Sequence, residues 1–224
     1  MARFAQDQSP ADAITSLYAI EAYDFDAASL GEADKLLDAA DHDPADPGYL
    51  LARGRTLHAR FLVDRSTGTD EELRVLEQAE QLLRAAGDQR GLAEALFWIG
   101  TYHQVVRRDN DGSVSYFHQA YEAAISADDA MVLSCVERHL GFVEILAGRR
   151  TEAFPHLNAS VRLRREIGFD AGAAAALLAL AEATAEGGDP GAASALLDEA
   201  KSLADTVGTP GVLRHIEEFR RSLA

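Results

Sequence analysis

The strongest constraint on this chain is a spacing. A large residue stands three before a small one at Leu36/Ala39, Leu76/Ala79, Phe117/Ala120, Leu157/Ser160 and Leu197/Ala200, and the pairs recur at steps of 40, 41, 40 and 40 residues. A second column runs through Gly100, Gly141 and Ala181, each preceded by a bulky residue, Ile99, Leu140 and Leu180. Unrelated helices packed into a bundle need only the 3.6-residue period. Recurrence at the longer interval is the mark of stacked, similar units. A glycine inside a helix costs on the order of 1 kcal/mol against alanine, so its recurrence points to a place where another element must approach closely.

Apolar residues at helical spacing predict helices over about 13–22, 27–41, 47–63, 70–86, 90–106, 113–127, 130–147, 151–167, 171–185, 192–204 and 212–223. No segment alternates with the period of two that a strand requires, so the expected class is all-α. The helices pair into five hairpins plus a final helix, with residues 1–10 as a short tail and 11–224 as a single helical-repeat domain. Pro44 ends the second helix, and Gly87 and Gly148 follow helices as C-terminal stops. Two irregularities need extra chain. Gly54 lies 46 residues before Gly100, which calls for a looped-out stretch near 64–70, and the step of 41 calls for one residue inserted in the turn over 107–112.

The chain has 224 residues, 47% of them hydrophobic, enough for a sizeable core. Its net charge of −16 repels nucleic-acid phosphate and anionic lipid, so neither nucleic acid nor membrane is an expected partner. No apolar run approaches the roughly 20 residues of a membrane-spanning helix. The first residues, MARFAQDQSPAD, lack the apolar segment of a secretory signal, and Cys135 is the sole cysteine, so a cytoplasmic location is expected. Cys135 reads first as a small helix-packing residue. The basic spots at 52–55 and 162–166 read as local surface features, the second complementing a helix C-terminus.

These columns resemble tetratricopeptide repeats. Leu140-Gly141, Gly148, Ala153, Leu157 and Ser160 match in register, as do Leu180-Ala181, Gly188, Ala193, Leu197 and Ala200. Ile99-Gly100, Phe117 and Ala120 match with one insertion. The length of about 40 is similar to the long-helix variety of bacterial regulatory proteins. The resemblance implies a right-handed α-α superhelix whose concave groove is lined by the first helix of each hairpin. Carried over position by position, the groove residues are Arg55 and His58, then Glu94, Phe97, Trp98, Thr101 and Gln104, then Arg138, His139, Phe142 and Ile145, and finally Glu182. The lysines and asparagines of the family's carboxylate-clamp members are missing, with Phe97, Trp98 and Thr101 in such places.

This mixture of aromatic, basic and acidic groups suits a peptide or protein segment in the groove, and a non-catalytic interaction module is the leading expectation. The alternatives are a small-molecule binder or enzyme of specialised metabolism with a pocket inside the superhelix, and a homo-oligomeric scaffold. A homodimer would use the alanine-rich helix over 171–185 or the last helix with Leu213, Ile216 and Phe219. The aromatics have a plainer reading as packing between neighbouring hairpins. No cofactor, metal or catalytic residue is expected, because there is no HExxH, no CxxC and no glycine-rich phosphate fingerprint. Cys135 and His139, one turn apart, could form a thiolate dyad, but helix packing explains them equally well.

Overall fold

A computed structural model describes residues 45–223 together with Gly31, Lys35, Leu37 and Asp43. The expected tail, the helix over 13–22 and the Leu36/Ala39 pair lie outside the described residues. Of the helix over 27–41, Gly31, Lys35 and Leu37 are described and helical. Among the described residues every regular element is helical. The helices are α1 (Pro47–Val63), α2 (Asp70–Ala86), α3 (Gln89–Thr101), α4 (Asn110–Ser126), α5 (Ala130–Leu146), α6 (Arg150–Glu166), α7 (Asp170–Glu186), α8 (Pro190–Val207) and α9 (Pro210–Leu223). They fall into two compact units, divided between Ala123 and Ala124 near the end of α4.

Aspartates set several helix starts. Asp46, Asp88, Asp129 and Asp189 each accept a hydrogen bond from the backbone N–H three residues on, opening α1, α3, α5 and α8. The stretch between α1 and α2 is looped out as expected, with a short 3-10 turn at Arg65–Thr67. In the first unit α1 packs on α2, and α2 on α3. In the second, α5, α6, α7, α8 and α9 each pack on the next.

The two sequence columns meet inside each hairpin. A β-carbon built at Gly54 falls 2.5 Å from Leu76 Cδ2, at Gly100 2.7 Å from Phe117 Cε1, and at Gly141 2.7 Å from Leu157 Cδ2. The large residue of the second helix therefore seats directly on the glycine of the first. Leu76, Phe117 and Leu157 are 0% exposed, and so are their small companions Ala79, Ala120 and Ser160. Burying each large side chain contributes about 1.5–3 kcal/mol, which outweighs the propensity cost of the glycine. Ser160 joins the same contact through its hydroxyl, which donates to the Ser134 carbonyl of α5 at 2.7 Å.

The extra residue of the 41-residue step is not in the turn. Arg108, Gly148 and Gly188 all take left-handed φ values, 56°, 76° and 91°, and they are spaced at even 40-residue steps. The surplus therefore lies between Gly100 and Arg108. There the helix widens into a π-helical segment, Tyr102–Val106, and the Arg107 N–H donates to the Tyr102 carbonyl at 3.1 Å. Side chains fasten its two ends: the Tyr102 hydroxyl and the Arg107 guanidinium both donate to Asp70 Oδ1, at 3.0 and 2.5 Å.

The helices expected to carry self-association also pack within the chain. Residues 172–181 of α7 are all buried, and Ile216 of α9 is 0% exposed, seated with Val212 against its own unit. Only Leu213 and Phe219 of the expected α9 face stay half-exposed.

The seating contact makes a direct prediction. Gly141→Val places a branched side chain where Leu157 already sits, and is expected to lower the unfolding free energy by about 2–3 kcal/mol. A urea titration would register this as a lower midpoint at unchanged slope. An unshifted midpoint would remove Gly141 from the packing argument.

Candidate functional site

In the first unit the expected groove residues close on one another. The Arg55 Nη1 donates to Glu94 Oε1 at 2.7 Å, and its guanidinium lies 5.9 Å from the Trp98 ring. His58 stands 5.4 Å from the same ring, and its Nδ1 is 2.8 Å from Glu72 Oε1, both side chains being buried. Phe97 meets Trp98 edge-on at 5.1 Å. Thr101 returns its hydroxyl to the Phe97 carbonyl at 2.9 Å, and Gln104 Nε2 donates to Asn110 Oδ1 at 3.3 Å. Phe97 and Trp98 are each only 6% exposed. Their apolar area is already removed from water, as the packing reading has it, so little is left to gain from a ligand. Of the seven, Glu94 alone is half-exposed.

The second unit differs. Arg138, His139, Phe142 and Ile145 of α5, and Glu182 of α7, are all half-exposed. The Arg138 guanidinium lies over the Phe142 ring at 4.6 Å, and His139 meets that ring edge-on at 5.8 Å. Burial pushes the Glu182 carboxyl above its ordinary value, against the attraction of Arg138 and with the help of Glu186. An aromatic surface, a guanidinium and an imidazole thus sit together on α5, with the Glu182 carboxylate of α7 within electrostatic reach of Arg138.

Three charged residues escape a reading of helical faces. Arg164, in the stretch read as a surface basic spot, is 2% exposed. Its Nη1 donates to the Gly172 carbonyl at 2.7 Å, its Nε to Ser134 Oγ at 3.3 Å, and its Nη2 lies 3.7 Å from Cys135 Sγ. The Cys135 sulfur is thus set against a guanidinium of α6. Glu72 was legible in principle, since it stands four before Leu76 and seven before Ala79 on the buried stripe of α2. Glu137 lies 2.6 Å from His156 Nδ1, and that hydrogen bond raises the imidazole above its usual value in spite of partial burial.

Among the described residues no three His, Cys, Asp or Glu side chains converge as a metal site would need, and no helix is long and apolar enough to cross a membrane.

The family model for the tetratricopeptide repeat matches residues 132–206. In fold the chain is similar to a Rap protein solved in complex with competence and sporulation factor, with a TM-score of 0.70 at 14% identity over 92% of this chain. It spans 55% of the length of that Rap chain. It is also similar to BtubC (BKLC) from P. vanneervenii, with a TM-score of 0.58 and 16% identity, over 90% of this chain and 93% of that one. The kinesin light chain TPR-like repeats of Podosopora anserina give 0.53 at 14% identity, over 90% and 98%. No curated protein matches the sequence.

Two outcomes follow from these contacts. Arg164→Ala removes the donors to the Gly172 carbonyl and the Ser134 hydroxyl and leaves a void, and is expected to cost about 2–4 kcal/mol by chemical denaturation, where a surface arginine would cost within about 0.5 kcal/mol. The His156–Glu137 pair contributes its full stability below the unfolded imidazole value, near about pH 6.5, and loses it as pH rises through the higher folded value. Thermal unfolding across that window should therefore show a falling component that His156→Gln lacks. Parallel pH profiles for the two proteins would contradict the pairing.

Proposed function

We propose that this chain of tetratricopeptide repeats is a non-catalytic interaction module that binds a peptide or protein segment on the α5–α7 face of its second unit. The observation that carries this reading is the half-exposed set Arg138, His139, Phe142, Ile145 and Glu182, against the closed network at the corresponding positions of the first unit. Burying Phe142 and Ile145 supplies apolar free energy at about 25 cal/mol per Å² before the costs of association, and Arg138 and His139 supply donors that orient a peptide backbone or carboxylate. The likeness in fold to a Rap protein in complex with a factor supports a ligand of this kind.

The test uses the full chain as bait in an extract of its source cell, with recovered proteins identified by mass spectrometry. Phe142→Glu and Arg138→Glu, confirmed as folded by circular dichroism, are expected to cut recovery of a specific partner at least about tenfold, the loss expected when a central anchor is removed. Equal recovery by both folded variants would exclude this face.

A further inference from the structure

Met131, Cys135, Arg138, Phe142 and Ile145 follow one another along α5 at steps of four, three, four and three residues. That alternation is the a/d seam of a coiled coil, in which one line of side chains stays turned toward another helix. The positions between are taken up inside the second unit: Val132, Val136, Leu140 and Val143 are buried. The seam itself is open. Met131 is 38% exposed, the other four are half-exposed, and Leu146 beside its end is 67% exposed. In the first unit Phe97 and Thr101, at the positions of Arg138 and Phe142, are buried. On α7 the matching positions carry the smaller set Ala171, Ala175, Leu178, Glu182 and Ala185, with Ala175 and Leu178 buried. Moreover α5 and α7 approach each other less closely than α1 and α3 or α7 and α9, so α7 does not close over the seam.

We infer that the segment bound along this α5 seam is an amphipathic helix with one carboxylate at the centre of its apolar stripe; the inference rests on the reading proposed above. From Met131 to Ile145 the seam runs about 21 Å, the length of a helix of about 14 residues. Such a helix sets its own heptad row against the whole line, with apolar anchors for Met131, Phe142 and Ile145. An extended segment of that length has about six residues and turns only about three side chains to the seam. The charge of the partner follows from Arg138, the one charged residue of the seam and its midpoint, whose guanidinium lies over the Phe142 ring at 4.6 Å. A single polar residue in an apolar seam fixes the register of the opposing helix, and a planar guanidinium is matched best by a carboxylate. The chain's net charge of −16 opposes a strongly acidic partner at long range. The carboxylate therefore belongs to a helix that is otherwise neutral or basic.

The experiment measures binding of the full chain to pools of capped peptides of about 18 residues, long enough to span the seam as a helix. The helical pools carry leucine, isoleucine or phenylalanine at heptad spacing and alanine, glutamine and lysine elsewhere, with glutamate, glutamine or lysine at the central seam position. A further pool has the glutamate composition with proline beside the centre, which breaks the helix. The glutamate pool is expected to bind at least about tenfold more tightly than the lysine and proline pools. Arg138→Glu should reverse the order of the glutamate and lysine pools, a gain that a misfolded variant cannot show. Met131→Asp, at the exposed start of the seam, should weaken every helical pool, and Val207→Asp, at the exposed end of α8, should weaken none. If the proline pool binds as tightly as the helical ones and Phe142→Glu abolishes that binding, the inference falls and the peptide-binding reading stands. The lysine pool binding best to the unaltered chain would overturn the carboxylate and with it the inference. If no pool binds while Phe142→Glu still cuts recovery of a partner from the cell extract, the inference alone falls; if that recovery is unchanged as well, both fall. A dimer seen by light scattering and dissociated by Met131→Asp would assign the seam to a second copy and overturn the peptide source.

Discussion

Three steric seats hold this repeat together: Leu76 on Gly54, Phe117 on Gly100 and Leu157 on Gly141. Each lets two helices approach to a distance that a β-carbon would forbid, and the small residue one turn along, at Ala79, Ala120 or Ser160, keeps the rest of the crossing equally tight. Everything on the first-helix faces inherits its position from these seats. Arg138 and Phe142 flank Gly141 at distances set by the helix alone, so the seat that packs the hairpin also aims the candidate binding residues.

That is why the fold was so legible. A steric demand recurring in every unit writes itself into the sequence at a fixed interval, and the helices from 47 to 223 follow the expected bounds closely. The site was less legible because the same column carries different side chains in different units. Phe97 and Trp98 occupy repeat positions equivalent to Arg138 and His139, yet they are closed in by Arg55, His58 and Glu94. A column identifies where a side chain starts. Whether it ends in solvent depends on what the neighbouring helix places opposite, and that information lies some 40 residues away in the chain. Arg164 shows the same limit: next to Arg162 and Arg165 it reads as one more surface cation, and only the Gly172 carbonyl and Ser134 hydroxyl explain its burial.

The distribution of charge also separates the two units. In the first, Arg55 pairs with Glu94 and His58 shares a hydrogen bond with Glu72 among aromatic rings, forming a buried polar network. In the second, Glu137 is matched by His156 and Glu144 by Arg149, while Arg138, His139 and Phe142 stay half-exposed.

The wide turn at Tyr102–Val106 bears on how such a chain tolerates change in length. An added residue in a connecting turn would alter where the second helix begins, and with it the seat of Phe117 on Gly100. Taken up inside the helix, after the seat and before the left-handed Arg108, the same residue leaves both ends of the hairpin where they were. Asp70, held by Tyr102 and Arg107, fixes the two borders of the widened segment. Repeat length is thereby uncoupled from repeat geometry, and an insertion becomes a local event confined to one turn of one helix.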